Sequence, residues 1–154
     1  MRDDALDAFP LPFLLAALAA CAVGPNTSYV AQLQQPADVD VLANGMAEFV
    51  SMRLPAASST VVLDPTPSDQ SGNAFTAAFA SALQRSGFAV AEDGQPVPTG
   101  AHHVRYLVTP LDNGDLARLT IDGSTEGSRF FVRNTAGGLQ AGGPFTVTQT
   151  DASR

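Results

Sequence analysis

The first regular pattern in the chain lies in residues 37–54, where apolar residues recur at helical spacing. The repeating positions are Val39, Leu42, Met46, Phe49 and Val50. An apolar stripe of this period predicts an amphipathic helix that buries one side. Asp38 is predicted to cap its start, because an aspartate side chain accepts hydrogen bonds from the first backbone N–H groups. Pro55 ends the helix, since the residue before a proline avoids the helical conformation.

Residues 60–92 predict a strand–helix–strand unit. Thr60–Leu63 is a short apolar run typical of a buried strand, and residues 88–92 form a second one. Between them we predict a helix over residues 72–86, which Gly87 ends. Its buried side would consist of Phe75, Phe79, Ala82 and Leu83. Two strands joined in this way can form a parallel pair through a right-handed crossover.

Three alternating segments after residue 100 predict an antiparallel meander. They cover residues 103–111, 116–122 and 128–134, and a further short strand is predicted at 145–148. Apolar residues alternate along each segment, so one face of the sheet would pack on the helices. We assign to that buried face Val104, Tyr106, Val108, Ala117, Leu119, Ile121, Phe130 and Val132.

The opposite face of the meander gathers half of the basic residues of the chain. It would present Arg105, Leu107, Arg118, Arg129, Phe131 and Arg133. Arginine and aromatic residues are enriched in protein interfaces, which makes this surface a candidate partner-binding face. The alternative interpretation is that these side chains only solvate an exposed sheet.

An apolar run over residues 11–20 closes on the sequence Leu-Ala-Ala-Cys, which contains the one cysteine of the chain, Cys21. The run suits a secretory leader and falls short of the roughly 20 residues that span a bilayer. This lipobox predicts that Cys21 is lipidated and becomes the first residue of the mature protein. The alternative is a short buried helix with an inert free cysteine. The leader departs from the usual pattern in its acidic start, with Arg2 against Asp3, Asp4 and Asp7.

Together these elements predict an α+β fold. We expect a two-layer domain with a mixed, mostly antiparallel sheet and two helices packed on one face, behind a lipoprotein leader and a flexible tether. The leader would cover residues 1–20, and the lipidated cysteine with its tether residues 21–36. A single domain would follow over residues 37–149, and residues 150–154 would form a frayed end.

The predicted tether is polar and turn-rich, and it shows no sustained period. Fully extended, it would reach about 50 Å from the cysteine to the domain. An extended segment of this length can also add a strand to the sheet of a partner protein. The residues that would do so are Tyr29, Val30 and Leu33.

Charge and cysteine content limit the classes of function. The chain has a formal charge of −7 and a pI of about 4.4, and all eight of its basic residues are arginine. Non-specific binding of nucleic acid needs clustered basic residues, so no direct contact with nucleic acid is predicted. A single cysteine forms neither an internal disulfide nor a cysteine cluster for a metal. No cofactor is predicted apart from the covalent lipid on Cys21.

No combination of residues predicts a catalytic site. His102 and His103 begin a strand, so their side chains point to opposite faces and cannot bind one metal ion. Most acidic residues lie in predicted turns, where aspartate accepts local hydrogen bonds. These are Asp93, Asp112, Asp115 and Asp122. Cys21 cannot act as a nucleophile once it is acylated, and we predict that the protein is not an enzyme.

The order of short motifs along the chain resembles the TrbH family of conjugal transfer lipoproteins. The motifs are LAAC at 18–21, RLPA at 53–56, VVLDPTPSDQSGNAF at 61–75, LQRSGFAVAED at 83–93, HHVRYLVTPLD at 102–112, SRFFVRNTAGG at 128–138 and GGPFTV at 142–147. No single motif is diagnostic. The resemblance rests on their order and covers the chain from Cys21 to Thr148.

This resemblance implies a structural component of a type IV secretion apparatus for plasmid transfer. Its partners would be other channel subunits and, through the lipid, the outer membrane of a Gram-negative bacterium on the periplasmic side. Ala22 fits this location, because by the enterobacterial sorting rule an aspartate after the lipidated cysteine favours the inner membrane. The alternatives are a periplasmic lipoprotein of another envelope-assembly or ligand-binding system, and a small hydrolase.

Overall fold

A computed structural model of the protein describes residues 27–67, 70–91 and 95–150. The predicted leader, the lipidation site Cys21 and residues 151–154 of the predicted frayed end lie outside the described residues. The described part contains two α-helices and eight strands.

The first helix, α1, spans Asp38–Arg53, within one residue of the prediction at each end. Four of the five residues of the predicted apolar stripe are buried: Leu42, Met46, Phe49 and Val50. The prediction that Asp38 caps the helix is wrong, because Asp38 is its first helical residue. Its buried carboxylate accepts a hydrogen bond at 3.0 Å from the backbone N–H of Gln35, which lies before the helix.

The second helix, α2, spans Gln70–Arg85, and its predicted buried side is confirmed. The buried residues are Phe75, Phe79, Ala82 and Leu83. The chain leaves the helix at Gly87, whose φ of +90° is a left-handed conformation that favours glycine. The N–H of Phe88 then donates to the carbonyl of Leu83 at 3.1 Å, and the buried Phe88 side chain closes the end of the helix.

The eight strands form one mixed sheet. They are β1 (Tyr29–Val30), β2 (Thr60–Leu63), β3 (Ala89–Ala91), β4 (His102–Leu111), β5 (Gly114–Ile121), β6 (Thr125–Arg133), β7 (Leu139–Ala141) and β8 (Thr146–Gln149). The main path of the sheet runs β3-β2-β4-β5-β6-β7, while β1 pairs with β4 and β8 pairs with β6. A 3-10 turn at Ala56–Ser58 connects α1 to β2.

Two shorter strands pair with one edge of β4, and two others pair with one edge of β6. The first half of β4 pairs in parallel with β2, and its second half pairs in parallel with β1. On the far side of the meander, β8 pairs with the first half of β6 and β7 with the second half. Strands β2 and β3 run parallel, as the strand–helix–strand pattern predicted. The predicted α+β class, with a mixed sheet and two helices, is confirmed.

The core lies between the helices and one face of the sheet. Tyr106 of β4 is buried under α2, with its hydroxyl 2.6 Å from Oγ1 of Thr76 and its ring edge-on to Phe79 at 5.4 Å between centroids. Phe49 of α1 covers Gly127 of β6, where a Cβ atom would overlap the phenylalanine ring. Burial of large aromatic side chains is a major stabilising contribution in a domain of this size.

Part of the predicted tether belongs to the folded domain. Ser28 is fully buried; its N–H donates to the carbonyl of Pro65 at 2.9 Å, and its Oγ accepts from the N–H of Tyr106 at 3.1 Å. Val30 is also buried and pairs with β4. Strand β1 therefore joins the sheet of its own chain, and the domain begins before the predicted boundary at residue 37.

The predicted inward face of β6 is wrong by one residue. Phe131 points to the helices and is 1% exposed, whereas Phe130 and Val132 point away. Arg129 pairs with a buried alanine of β5, so it shares the helix-facing side with Phe131. Gly45 of α1 makes room for the Phe131 ring, since a Cβ at that position would approach the ring to 2.6 Å.

Candidate functional site

The face of the sheet turned away from the two helices carries the candidate site. We call this surface the open face and define it by the outward side chains of Tyr29, Arg105, Leu107, Leu116, Arg118 and Phe130. Leu107 lies opposite Tyr29 on one neighbouring strand and Arg118 on the other. Leu116 likewise lies opposite Phe130. Residues opposite one another in adjacent strands point to the same side, so these side chains form one surface.

One half of the open face is apolar. Tyr29 is 40% exposed, and Leu107, Leu116 and Phe130 are half-buried. Both described helices pack on the other side of the sheet, where their large apolar residues form the core. An exposed apolar surface beside charged residues is typical of a site that contacts another molecule.

The other half of the open face is polar and holds a pocket of about 800 Å³. Its lining includes Asp64, His103, Arg105 and Thr120. Nδ1 of His103 lies 3.2 Å from Oδ1 of Asp64, whose N–H donates to the carbonyl of Val104 at 3.0 Å. The pocket therefore places an arginine beside a hydrogen-bonded histidine–aspartate pair.

The two histidines bind different aspartates, as expected for adjacent residues of a strand. Nδ1 of His102 lies 2.7 Å from Oδ2 of Asp122, and Oδ1 of Asp122 accepts from the backbone N–H of His103 at 2.9 Å. Asp122 has a φ of +51° and Gly123 one of +68°, a left-handed pair that closes the β5–β6 hairpin tightly. The aspartate therefore ties the start of β4 to this turn.

The described histidine rings contact carboxylates. Activation of a serine or threonine needs a base within hydrogen-bond reach of the hydroxyl. Among the described residues, the side-chain hydrogen bonds of both histidine rings go to aspartates and not to hydroxyl groups. The same part of the chain contains no group of three or more His, Cys, Asp or Glu residues that could hold a metal ion.

The six residues predicted to form one partner-binding face do not share a face. Arg105, Leu107 and Arg118 lie on the open face, whereas Arg129, Phe131 and Arg133 face the helices. The reason is the register of β6, which is shifted by one residue from the prediction. The four arginines therefore form two pairs, one on each side of the sheet.

Arg129 is fixed against α1 and the end of the chain. Its NH1 lies 2.9 Å from Oε2 of Glu48, and its Nε donates to the carbonyl of Gly143 at 2.7 Å. The guanidinium also lies over the ring of Phe145, 4.6 Å from the centroid, in a cation–π contact. These contacts occupy the guanidinium inside the domain.

Arg133 lies between two buried carboxylates. It donates to both oxygens of Asp38, at 3.2 and 2.8 Å, and to the carbonyl of Gly137 at 2.6 Å. Its NH2 is 3.6 Å from Asp115, which lies inside strand β5 and not in the turn where it was predicted. Burial raises the pKa of Asp115, the charge of Asp38 raises it further, and Arg133 has a smaller opposing effect.

Sequence reasoning missed several members of the open face and the pocket beside it. Leu116 precedes the buried Ala117 along a strand, so alternation alone could have placed it outward. Tyr29 was placed in the tether, because a strand of two residues has no periodic signal. The pairing of Asp64 with His103 depends on the contact between β2 and β4, which no local pattern shows.

Neither described helix combines the length and the apolar character needed to span a bilayer. The family model of the conjugal transfer protein TrbH matches residues 23–151, which include every described residue. This match confirms the resemblance that the order of motifs indicated. Comparison with curated proteins gives no significant match, and comparison with solved structures gives none.

Proposed function

Because the chain belongs to the TrbH family of conjugal transfer proteins, we propose that it is an outer-membrane lipoprotein of a type IV secretion apparatus, facing the periplasm. Membership of the family makes it a component of conjugal transfer. TrbH is a structural family of this process and not a known enzyme family. The proposed role is therefore to hold other subunits, and the observation that carries it is the family match over residues 23–151.

The proposed anchor is a lipid on Cys21. Support comes from the Leu-Ala-Ala-Cys sequence after an apolar run and from the family match, which starts two residues later. Because Ser28 is already buried in the domain, only seven residue steps separate it from Cys21. They span at most about 25 Å, half the reach of the predicted tether. The lipid would thus hold the domain close to the membrane surface.

Replacement of the cysteine tests the anchor. In the Cys21→Ser variant we expect loss of metabolic labelling by a palmitate analogue and loss of the protein from the membrane fraction. Stable anchoring needs two or more acyl chains, so removal of the acceptor should release the protein completely. The chain has one cysteine, and any label that survives in the variant would exclude lipidation at this residue. An Ala22→Asp variant tests the membrane, since it should keep the label and move to the inner membrane.

We propose that the open face binds another subunit of the apparatus. Its apolar half supplies area to bury, and Arg105 and Arg118 supply positive charge on an otherwise acidic protein. Charged groups around an apolar centre orient a partner and raise the encounter rate. Phe131, which was predicted to lie on this surface, is buried under α1. Leu107 and Phe130 take that place.

A double arginine variant tests the contact. Arg105→Gln with Arg118→Gln should lower mating efficiency and the co-purification of channel subunits. The association of the native chain should weaken with salt, and this salt dependence should be smaller in the variant, because the charges that cause it have been removed. A matched control is Arg53→Gln with Arg85→Gln, which removes the same charge from exposed positions on the helix side. Plasmid transfer at the parental rate in the open-face variant would show that this surface does not carry the interaction.

A further inference from the structure

The interior of the domain holds an unusual group of charges where α1 begins. We call it the Arg133 cluster; it consists of Asp38 of α1, Asp115 of β5 and Arg133 of β6. The side chains of both aspartates are 1% exposed, and that of Arg133 is 13% exposed. Two acidic groups thus share one basic group almost without access to water.

The hydrogen bonds of the cluster are unequally divided. Asp38 receives two bonds from the guanidinium and a third from the backbone N–H of Gln35. Arg133 uses NH1 a second time, on the carbonyl of Gly137. Asp115 lies 3.6 Å from NH2, beyond hydrogen-bond distance, and among the described residues neither of its oxygens has a hydrogen-bond partner.

The surroundings of Asp115 offer no second positive charge in the described part of the chain. Its cross-strand neighbours are Pro110 of β4 and Phe131 of β6, which do not titrate. From α1 it faces the carboxylate of Asp38, and from β6 the guanidinium of Arg133. An ionised Asp115 would leave the cluster with a net charge of −1, and a buried unpaired charge is strongly unfavourable.

We propose that Asp115 is a proton-binding site of the folded domain, and that loss of its proton loosens the contact between the start of α1 and the β4–β5 hairpin. With the proton bound, the cluster is neutral, because Asp38 and Arg133 form one complete ion pair. The protonated carboxyl also gains an O–H that can donate a hydrogen bond. Its ionisation places a second negative charge beside Asp38, the residue from which α1 starts.

The direction in which folding changes the pKa of Asp115 determines how stability depends on pH. The folded state raises the pKa of Asp115, first through burial and then through Asp38, so folded protein holds this proton where unfolded protein has lost it. The stabilisation that comes from the proton on Asp115 is fully present below about pH 4, the ordinary titration range of an unfolded aspartate. It is lost as the pH rises towards the folded pKa. Over that range one proton changes the unfolding equilibrium by at most about tenfold per pH unit.

Two aspartates of the same hairpin provide a matched test. We would measure urea midpoints between pH 4 and 8 for the native chain, for Asp115→Asn and for Asp112→Asn, whose carboxylate is exposed in the turn. The urea midpoint of Asp115→Asn, compared with that of the native chain, should increase as the pH rises. The midpoint of Asp112→Asn should change with pH as that of the native chain does. Equal pH dependence in the native chain and the Asp115→Asn variant would overturn the proposal.

A second measurement needs no variant and decides the case if Asp115→Asn fails to fold. Carboxyl carbon NMR of the native protein should show Asp115 titrating above the ordinary range of an aspartate. The protection of the Asp38 and Asp40 amides, taken relative to the intrinsic exchange rate at each pH, should fall across the same pH range. A titration of Asp115 within or below that ordinary range would overturn the proposal.

Discussion

The two faces of the central sheet carry the same kinds of residue in different surroundings. On the helix side, β6 presents Arg129 and Arg133 with Phe131 between them, and all three are enclosed. On the open face, Arg118 is exposed near the half-buried ring of Phe130. Residue type therefore does not distinguish the two faces. They differ in what packs on them.

Helix α1 provides that layer on the inner face. Glu48 pairs with Arg129, Asp38 pairs with Arg133, and Gly45 makes room for the phenylalanine between them. The open face lacks a corresponding helix in the described part of the chain. A partner of the open face would have to cover Leu107, Leu116 and Phe130 with an apolar surface and place acidic groups near the exposed Arg118.

The largest expected effect comes from the core of the helix layer. Phe79→Ala should lower the free energy of unfolding by roughly 3–5 kcal/mol, because it removes a fully buried ring beside Tyr106. Urea denaturation measures the change. Gln84→Ala, at an exposed position of the same helix, is the control and should stay within about 0.5 kcal/mol of the native chain. Similar losses in both variants would contradict the assignment of the buried face of α2.

A smaller effect is expected where helix and sheet approach most closely. Gly127→Ala should destabilise the domain by about 1–3 kcal/mol, since the added methyl group overlaps the ring of Phe49. Gly143→Ala is a suitable control, because a Cβ there meets no atom within 4 Å. If thermal melting shows the two variants to be equally stable, the close contact between α1 and β6 is not rigid.

The smallest effect on stability is expected for the arginines, where one variant on each face of the sheet can be compared. Arg129→Gln should cost about 1–2 kcal/mol, because it removes the hydrogen bond to Gly143 and the contact with Phe145. The Glu48 ion pair adds little to this figure, since its carboxylate is exposed. Arg118→Gln on the open face should change stability by no more than about 0.5 kcal/mol. Equal costs in chemical denaturation would mean that the faces differ less than their geometry indicates.

Most of the architecture was predictable from local patterns. The stripe of α1 and the aromatic residues of α2 repeat at helical spacing, and Pro55 and Gly87 mark where the helices end. Alternation along β4 and β5 placed the buried apolar residues correctly, because most of the intervening positions are polar, among them Arg105, Arg118 and Thr120. The family followed from the order of motifs and is confirmed by the match over residues 23–151.

Less of the candidate site was predictable. Residues 130–132 are all apolar and lie between Arg129 and Arg133, so alternation with the arginines favours burial of Phe130 and Val132, whereas the structure buries Phe131. The prediction chose the wrong alternative and joined four arginines into one surface. Half of that surface, with Arg105, Leu107 and Arg118, remains a proposal for partner binding.

By itself the sequence determined both helices, six of the eight described strands, the fold class and the family, because each depends on residues close together in the chain or on their order. Only the tertiary structure decided which side of β6 is buried, that β1 joins the sheet, and that Asp115 lies inside. These depend on contacts between distant residues: Arg133 meets Asp38 across 95 positions, and Tyr106 meets Ser28 across 78. Local periodicity carries no information about such pairs, since it describes one strand or helix and not what packs against it.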